Sequence, residues 1–363
     1  MKITRIRIFK MDIARTDVFT IATMKLEKAE NVLIGIETDE GLTGWGEASP
    51  FHALVGETQR IDLAVAQELH KLLLGKNPLE LADRIGEMDA FLPHNPTIKS
   101  AFDMALYDIA AQAAGMPLYQ FLGGTRRPLE TDFTISIGRV EEAGEKARQV
   151  VEKGFRIIKI KVGISDTEDY RRVEAIRQTV GDALRIRVDA NQGWDRMQAV
   201  ANLNRLAEFD IEFCEQPCRV ADVQGLKYVS AHSPIPVMAD ESVFSPVDAL
   251  RLVEQDVVPY FNIKLSKSGG LYRALQIAHI AEAGSRKCMV GCMSESRLGL
   301  TATAHLGAAS PVFQFFDLDS FFEHAEDPVI GGVEVKDGFI HLPEEPGLGA
   351  RPDEAFLKRC EEL

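Results

Sequence analysis

Five stretches decide the fold: Phe155–Gly163 (FRIIKIKVG), Leu184–Asn191 (LRIRVDAN), Ile211–Pro217 (IEFCEQP), Ile235–Ser242 (IPVMADES) and Tyr260–Lys267 (YFNIKLSK). Each is a short β-branched or aromatic run that ends on charged or polar residues. Amphipathic stretches such as Glu168–Val180 and Leu271–Ala283 lie between runs of this kind. The same beat begins at Glu130–Gly138 (ETDFTISIG) and closes with Lys287–Met293 (KCMVGCM) and Phe313–Asp319 (FQFFDLD). Strand–helix alternation predicts a parallel sheet with crossover helices, and eight strands at this interval predict a barrel. An open doubly wound sheet is the alternative, but no GxGxxG follows any strand.

Outward from the barrel the pattern changes. Ile3–Lys10 and Asn31–Thr38 read as antiparallel strands, with turn glycines in Thr38–Glu47 (TDEGLTGWGE), and Arg60–Leu74 and Lys99–Ala114 read as helices. After Asp319 the chain runs through Gly- and Pro-rich stretches with no ninth strand–helix unit, so it is expected to pack back onto the first module. The expected architecture is α/β: an N-terminal α+β module over residues 1–122, a (β/α)7β barrel over 123–322, and a returning segment over 323–363.

A chain of 363 residues with 45% hydrophobic and 26% charged residues suits one large barrel plus a second module. The net charge of −14 opposes binding to nucleic acid. No apolar run approaches the roughly 20 residues of a membrane helix, and the N-terminal MKITRIRIF lacks a secretory apolar region. A cytoplasmic homo-oligomer with no nucleic-acid or membrane partner is therefore expected. Five cysteines do not suggest a disulfide framework. The C-x3-C pairs Cys214/Cys218 and Cys288/Cys292 fall in or at the end of apolar strands without a histidine beside them, which favours buried thiols over zinc.

The charges within the strands are the informative feature, because a core barrel strand should be Val, Ile and Leu. Lys161 is followed by Asp189 after 28 residues, Glu215 after 26, Asp240 after 25 and Lys264 after 24. One polar group per strand–helix unit, at one height, builds a ring at the barrel's C-terminal mouth, where such barrels keep their active sites. Asp189, Glu215 and Asp240 come from successive strands. A single acid there reads as a helix N-cap, but three at the same phase need a cation, and hard oxygen ligands suit Mg2+. Lys159 and Lys161 share a strand face. Their mutual repulsion, with a dication nearby, is expected to lower a lysine pKa into the range of a general base. Lys264 enters from the opposite side of the ring, so one amine can remove a proton while the other returns it on the far face. A general base contributes only about 10²- to 10⁴-fold, so ionising a C–H beside a carboxylate also calls for the metal to stabilise an enediolate.

These residues resemble a known family. Lys159–Lys161 (KIK), Val188–Trp194 (VDANQGW), Glu215–Pro217 (EQP), Ala239–Ser242 (ADES) and Asn262–Gly270 (NIKLSKSGG) are similar to the muconate-lactonizing branch of the enolase superfamily, whose lysine and Mg2+ chemistry is a general precedent. Gly41–Pro50 (GLTGWGEASP) resembles that family's capping domain, and PGLGA around Gly347 its C-terminal return. The resemblance implies a modified TIM barrel, Mg2+ ligands Asp189, Glu215 and Asp240, an acid/base pair Lys161 and Lys264, and a charge-neutralising Lys159. The mandelate-racemase branch, with a histidine in place of the Lys264 strand, is less similar. Phe315–Gly332 (FFDLDSFFEHAEDPVIGG), preceded by Gly291–Gly299 (GCMSESRLG), resembles the dipeptide epimerases. That likeness implies Asp317 and Asp319 as the grip on a dipeptide ammonium, with Thr134, Met293 and Ser294 also against the substrate. Glu295 has no assigned role. Thr20–Lys28 resembles the family's mobile covering loop. Relatives acting on Ala-Glu resemble one another in carrying an arginine there; Met24 and Leu26 stand in its place and imply an apolar side chain.

The leading expectation is therefore epimerisation of a dipeptide by 1,1-proton transfer. Cycloisomerisation or dehydration on the same scaffold, as in o-succinylbenzoate synthesis, is the first alternative. A Schiff-base aldolase using Lys264 and a metal-dependent amino-acid binder are the others.

Overall fold

The structure, a computed structural model, describes residues 1–363. The N-terminal module is an antiparallel sheet of β1 (Ile3–Thr20), β2 (Lys25–Thr38) and β3 (Thr43–Ala48), with Glu361–Glu362 paired to the free edge of β1. β1 and β2 are much longer than the Ile3–Lys10 and Asn31–Thr38 predicted from hydropathy. Their pairing runs past Ile13↔Ala29 to Thr20↔Lys25, with an irregularity between Ala14 and Phe19. Thr20–Lys28 is thus the tip of a hairpin and not a loop. Its many charges mask the strand signal, yet Lys25, Glu27 and Lys28 are exposed while Leu26 is half-buried and Ala29 buried, the partial alternation of a strand with one covered face.

The helices Gln59–Leu73, Leu81–Phe91 and Pro96–Ala113 cover the sheet. Fifteen residues of the last are buried, Lys99, Asp103 and Asp108 among them, so it is a core helix enclosed on nearly every side. β3 lies so close to it that a Cβ at Gly44 or Gly46 would collide with the carbonyls of Ala105 or Ala101.

The barrel strands are β4 (Phe133–Ile135), β5 (Ile157–Lys161), β6 (Arg185–Asp189), β7 (Ile211–Glu215), β8 (Val237–Ala239), β9 (Tyr260–Ile263), β10 (Lys287–Gly291) and β11 (Phe313–Asp317). They form one parallel sheet in chain order, with helices after the first seven and none after β11. The ring closes where Asp132 N donates to Phe316 O at 3.3 Å and Leu318 N to Thr131 Oγ1 at 2.9 Å. Its floor is filled by Phe213, Met238, Met289 and Phe315. Arg187 is embedded there, 1% exposed, donating to Glu212 at 2.6 Å and to Asp132 at 2.8 Å.

The C-terminal segment does return. Glu361–Glu362 extends the first sheet, and Glu362 pairs with Arg5 and Arg7. His305, fully buried, pins the return: its Nδ1 accepts from Tyr119 N at 3.1 Å and its Nε2 donates to Leu348 O at 3.1 Å. Burial pushes the His305 pKa down to about 4, in keeping with a neutral ring that both accepts and donates. All five cysteines are free thiols, with Cys214, Cys218 and Cys288 buried. No helix is long and apolar enough to cross a membrane.

Candidate active site

Register sets the height of the charged ring. Lys161 pairs across to Asp189 and Asp189 to Glu215, each the last residue of its strand. Asp317 ends β11, while Asp240 and Lys264 directly follow β8 and β9. All six are at least 94% buried. None of the three central acids caps the next helix; Asp195, Asp222 and Ser245 do that.

The acids converge on ammonium groups. Lys159 Nζ lies 2.7 Å from Asp317 Oδ2, 2.5 Å from Glu215 Oε2 and 3.3 Å from Asp189 Oδ2. Lys161 Nζ is 2.6 Å from Asp189 Oδ2, and Lys264 Nζ is 2.8 Å from Asp240 Oδ2. Without the dication that the expected lowering calls for, Lys159 and Lys264 shift the other way. Burial alone would lower both, but Asp317, Glu215 and Asp189 outweigh it at Lys159, and Asp240 and Glu215 at Lys264, so both are raised. Like-charge repulsion between neighbouring lysines is the smaller effect beside several carboxylates at contact distance. Reciprocally, burial would raise Asp189 and Asp240, and their lysine partners hold both below the ordinary carboxylate range. Glu215 lacks enough compensation: burial first, then Asp189, pushes it up to about 7.

The donor set suits a hard dication. Three carboxylates from successive strands offer oxygen only. Although Lys159 comes within 2.5 Å of it, Glu215 Oε2 is buried without a hydrogen bond of acceptable geometry, as are Asn191 Oδ1 and Glu241 Oε2. Such orphaned lone pairs are costly unless a ligand takes them. The tightest cluster of acid and thiol donors is a different one, Cys292 with Asp317 and Asp319, whose ligand atoms lie within 4.8 Å of one another. Asp319 does not cap the following 3-10 turn; its Oδ2 accepts from Thr134 N at 2.6 Å. Burial and the neighbouring Asp317 raise Asp319 to about 6.

A cavity opens on this mouth. Lys161, Lys264, Thr134, Asp317 and Asp319 line its barrel side together with Met293. The hairpin supplies Phe19, Ile21 and Leu26, and the segment after β3 supplies Phe51 and Leu54. Two residues predicted to touch substrate lie elsewhere. Met24 sits in the hairpin turn off the cavity lining, whereas Ile21 of the same turn and Phe19 and Leu26 of the flanking strands face the cavity. Ser294 is buried in the joint between module and barrel, where its N donates to Ser49 Oγ and its O accepts from Asn31 Nδ2. Ser296 and Gly299 in the same joint donate to the buried Glu47, and Glu295 accepts from Met293 N at 2.6 Å.

Several supporting residues escaped the sequence reading. Asn262 Nδ2 donates to Glu215 Oε1 at 2.6 Å, in a space left free by Gly291. Lys267, wholly buried, donates to Asp240 Oδ1 at 2.6 Å and to Asn262 O at 2.8 Å. Gln216 Oε1 accepts from Asp240 N and Ser242 N. All three lie inside the motifs EQP and NIKLSK, so the available signal was a polar residue beside each ring residue.

Known proteins share this fold and much of this sequence. The description "Mandelate racemase / muconate lactonizing enzyme, N-terminal domain" matches residues 3–123, and "Enolase C-terminal domain-like" matches residues 142–356. A D-Ala-D/L-Ala epimerase of Cytophaga hutchinsonii is 39% identical, the match covering 100% of this chain and 99% of that protein. A hydrophobic dipeptide epimerase of Enterococcus faecalis is 40% identical, covering 96% of this chain and 99% of that one. The crystal structure of a dipeptide epimerase from Cytophaga hutchinsonii, complexed with Mg and the dipeptide D-Ala-L-Val, superimposes with a TM-score of 0.98 at 39% identity over 100% of this chain and 99% of that one.

Proposed function

Since this chain belongs to the enolase superfamily, in its mandelate racemase / muconate lactonizing enzyme family, we propose that it is a Mg2+-dependent dipeptide epimerase. It moves a proton at the α-carbon of the C-terminal residue and favours apolar side chains. The observation that carries this reading is that Lys161 and Lys264 line one cavity from strands four places apart in an eight-stranded barrel, hence from opposite sides.

In the proposed mechanism Asp189, Glu215 and Asp240 would hold the metal, with Asn262 and Lys267 fixing oxygens of Glu215 and Asp240 and Gln216 fixing the Asp240 backbone. When bound, Mg2+ supplies positive charge that competes with the lysines for these carboxylates and offsets the negative charge growing on the substrate carboxylate. Asp317 and Asp319 hold the dipeptide ammonium, with Thr134 orienting Asp319. That placement puts the C-terminal α-carbon between Lys161 and Lys264. The neutral amine of one takes the α-proton while the ammonium of the other delivers a proton to the opposite face, which inverts the centre. Lys159 stays charged and stabilises the enediolate. Phe19, Ile21 and Leu26, with Phe51, Leu54 and Met293, exclude water and favour an apolar substrate. Relatives reported to act on Ala and hydrophobic dipeptides support that preference.

Incubating a panel of L,L-dipeptides with enzyme and Mg2+ in D2O tests the proposal. Deuterium should enter the C-terminal α-position of both epimers, fastest for apolar dipeptides, and chelator should stop it; no exchange with any dipeptide would defeat it. Substrates of the cycloisomerase or dehydratase class carry no ammonium, so Asp319→Asn, which leaves the Lys159–Asp317 pair intact, should spare them and cripple a dipeptide reaction. A cytoplasmic homo-oligomer is the proposed setting, with light scattering the check on assembly.

A further inference from the structure

The cavity has a charged corner that the proposed chemistry does not use. Arg15, on β1, and Glu323, just beyond β11, both line it, 308 residues apart in the chain. Their side chains form an ion pair. The Arg15 side chain is only 3% exposed and that of Glu323 25%. Arg15 also donates to Ser294 Oγ at 3.3 Å and to Asp17 O at 3.4 Å, and its guanidinium lies 5.1 Å from the centre of the Phe19 ring. The backbone fixes both residues. Thr16 Oγ1 donates to Glu323 O at 3.2 Å, and Ala325 N to Ala14 O at 2.8 Å. Glu323 ends the 3-10 turn Ser320–Glu323 that directly follows Asp319, and Asp319, Ser320 and Glu323 line the cavity together, which places the pair at the ammonium end of the cavity.

A guanidinium in a cavity walled by Phe19, Leu26 and Met293 would bind a carboxylate strongly, because a charge-assisted pair gains where water is excluded. Here Glu323 already holds it. We infer that Glu323 masks Arg15, so that the pocket for the N-terminal residue's side chain is neutral and rejects acidic side chains. Removing Glu323 exposes a ready-made anion site, and removing Arg15 leaves a carboxylate that favours a cationic side chain. The specificity is thus set by an internal counter-ion. This inference rests on the dipeptide reading and adds to it what selects the N-terminal residue.

The test compares wild type, Glu323→Gln, Arg15→Met and the double variant on Ala-Ala, Glu-Ala and Lys-Ala, with thermal melts to establish folding. Glu323→Gln should raise the ratio of kcat/KM for Glu-Ala over Ala-Ala by about tenfold or more, the scale of one charge-assisted hydrogen bond. Arg15→Met should raise the ratio for Lys-Ala over Ala-Ala instead, and the double variant should lose both gains. A purely structural pair would lower all three substrates together and leave the ratios unchanged, which overturns the inference. If Glu323→Gln does not fold, Glu323→Ala replaces it in the same comparison. Calorimetric binding of Glu-Ala needs no turnover and separates the two readings. Tighter binding to Glu323→Gln than to wild type upholds the masking even without exchange, and equal binding refutes it even when wild type epimerises Ala-Ala.

Discussion

The floor and the mouth of the barrel both bury ionic groups, and they differ in what those groups face. At the floor, Arg187 is spent on Glu212, Asp132 and the carbonyl of Phe316, with its guanidinium 5.0 Å from the Phe213 ring centre. At the mouth, three lysines share four carboxylates, and Glu241 Oε2 and Asn191 Oδ1 have no hydrogen-bond partner, as Asp132 Oδ1 has none at the floor. The floor has aromatic rings above its charges and the mouth has a cavity. Burial of charge alone therefore does not mark a site. Charged groups from several strands that line one cavity, as Lys161, Lys264, Asp317 and Asp319 do, mark it.

Mutations at the two ends should separate cleanly. At the mouth, Lys161→Gln or Lys264→Gln should reduce epimerisation by about 10²- to 10⁴-fold or more, while the melting temperature, read with Mg2+ present to offset Asp189 and Asp240, stays close to that of wild type. A loss confined to KM would break the contrast. At the floor, Arg187→Met should cost about 3 to 5 kcal/mol of stability in urea titrations, because Asp132 and Glu212 are stranded. The folded fraction should still exchange. A variant as stable as wild type would show that the floor charges are not structural.

A smaller effect concerns the seam between barrel and C-terminal return. His305 is neutral in the fold down to about pH 4. Above about pH 6.5 folded and unfolded chains are both neutral there, and the residue adds no pH dependence. As pH falls through 6.5 the unfolded chain takes up a proton that the folded one refuses. Stability is lost down to about pH 4 and then levels, by about 3 kcal/mol in all. Other groups titrate in this window, so the measurement is the difference between the stability curves of wild type and His305→Gln; parallel curves would exclude the effect. Smallest of all, breaking the exposed Arg196–Asp222 pair, 2.7 Å long, with Arg196→Ala should change stability by less than about 1 kcal/mol. A larger change would mean that surface pairs rival the buried ones.

The ring at the mouth was legible in the sequence because a barrel repeats. Lys161, Asp189, Glu215, Asp240 and Lys264 recur once per strand–helix unit, and strand register turns that spacing into common height. Arg187 was not legible, since Arg185 and Arg187 share a face of one strand and differ only in depth, one exposed at its start and one buried, with nothing in their chemistry to say which. The hairpin was misjudged because its charges conceal its pairing. Glu47 and Asn31 were missed because their partners lie in the Ser294–Gly299 segment, some 250 residues away. Local pattern reports which face a residue occupies. It does not report which distant residue meets it there, and the Arg15–Glu323 pair is of that kind.

The most direct test is exchange of each epimer separately, in D2O with Mg2+, by Lys161→Gln and Lys264→Gln. If the two amines face opposite sides of one carbon, each variant should fail to epimerise. Each should still wash deuterium into the single epimer whose proton points at the surviving lysine, the L form for one variant and the D form for the other. Loss of exchange from both epimers in both variants, or retention of the same epimer by both, would contradict the account.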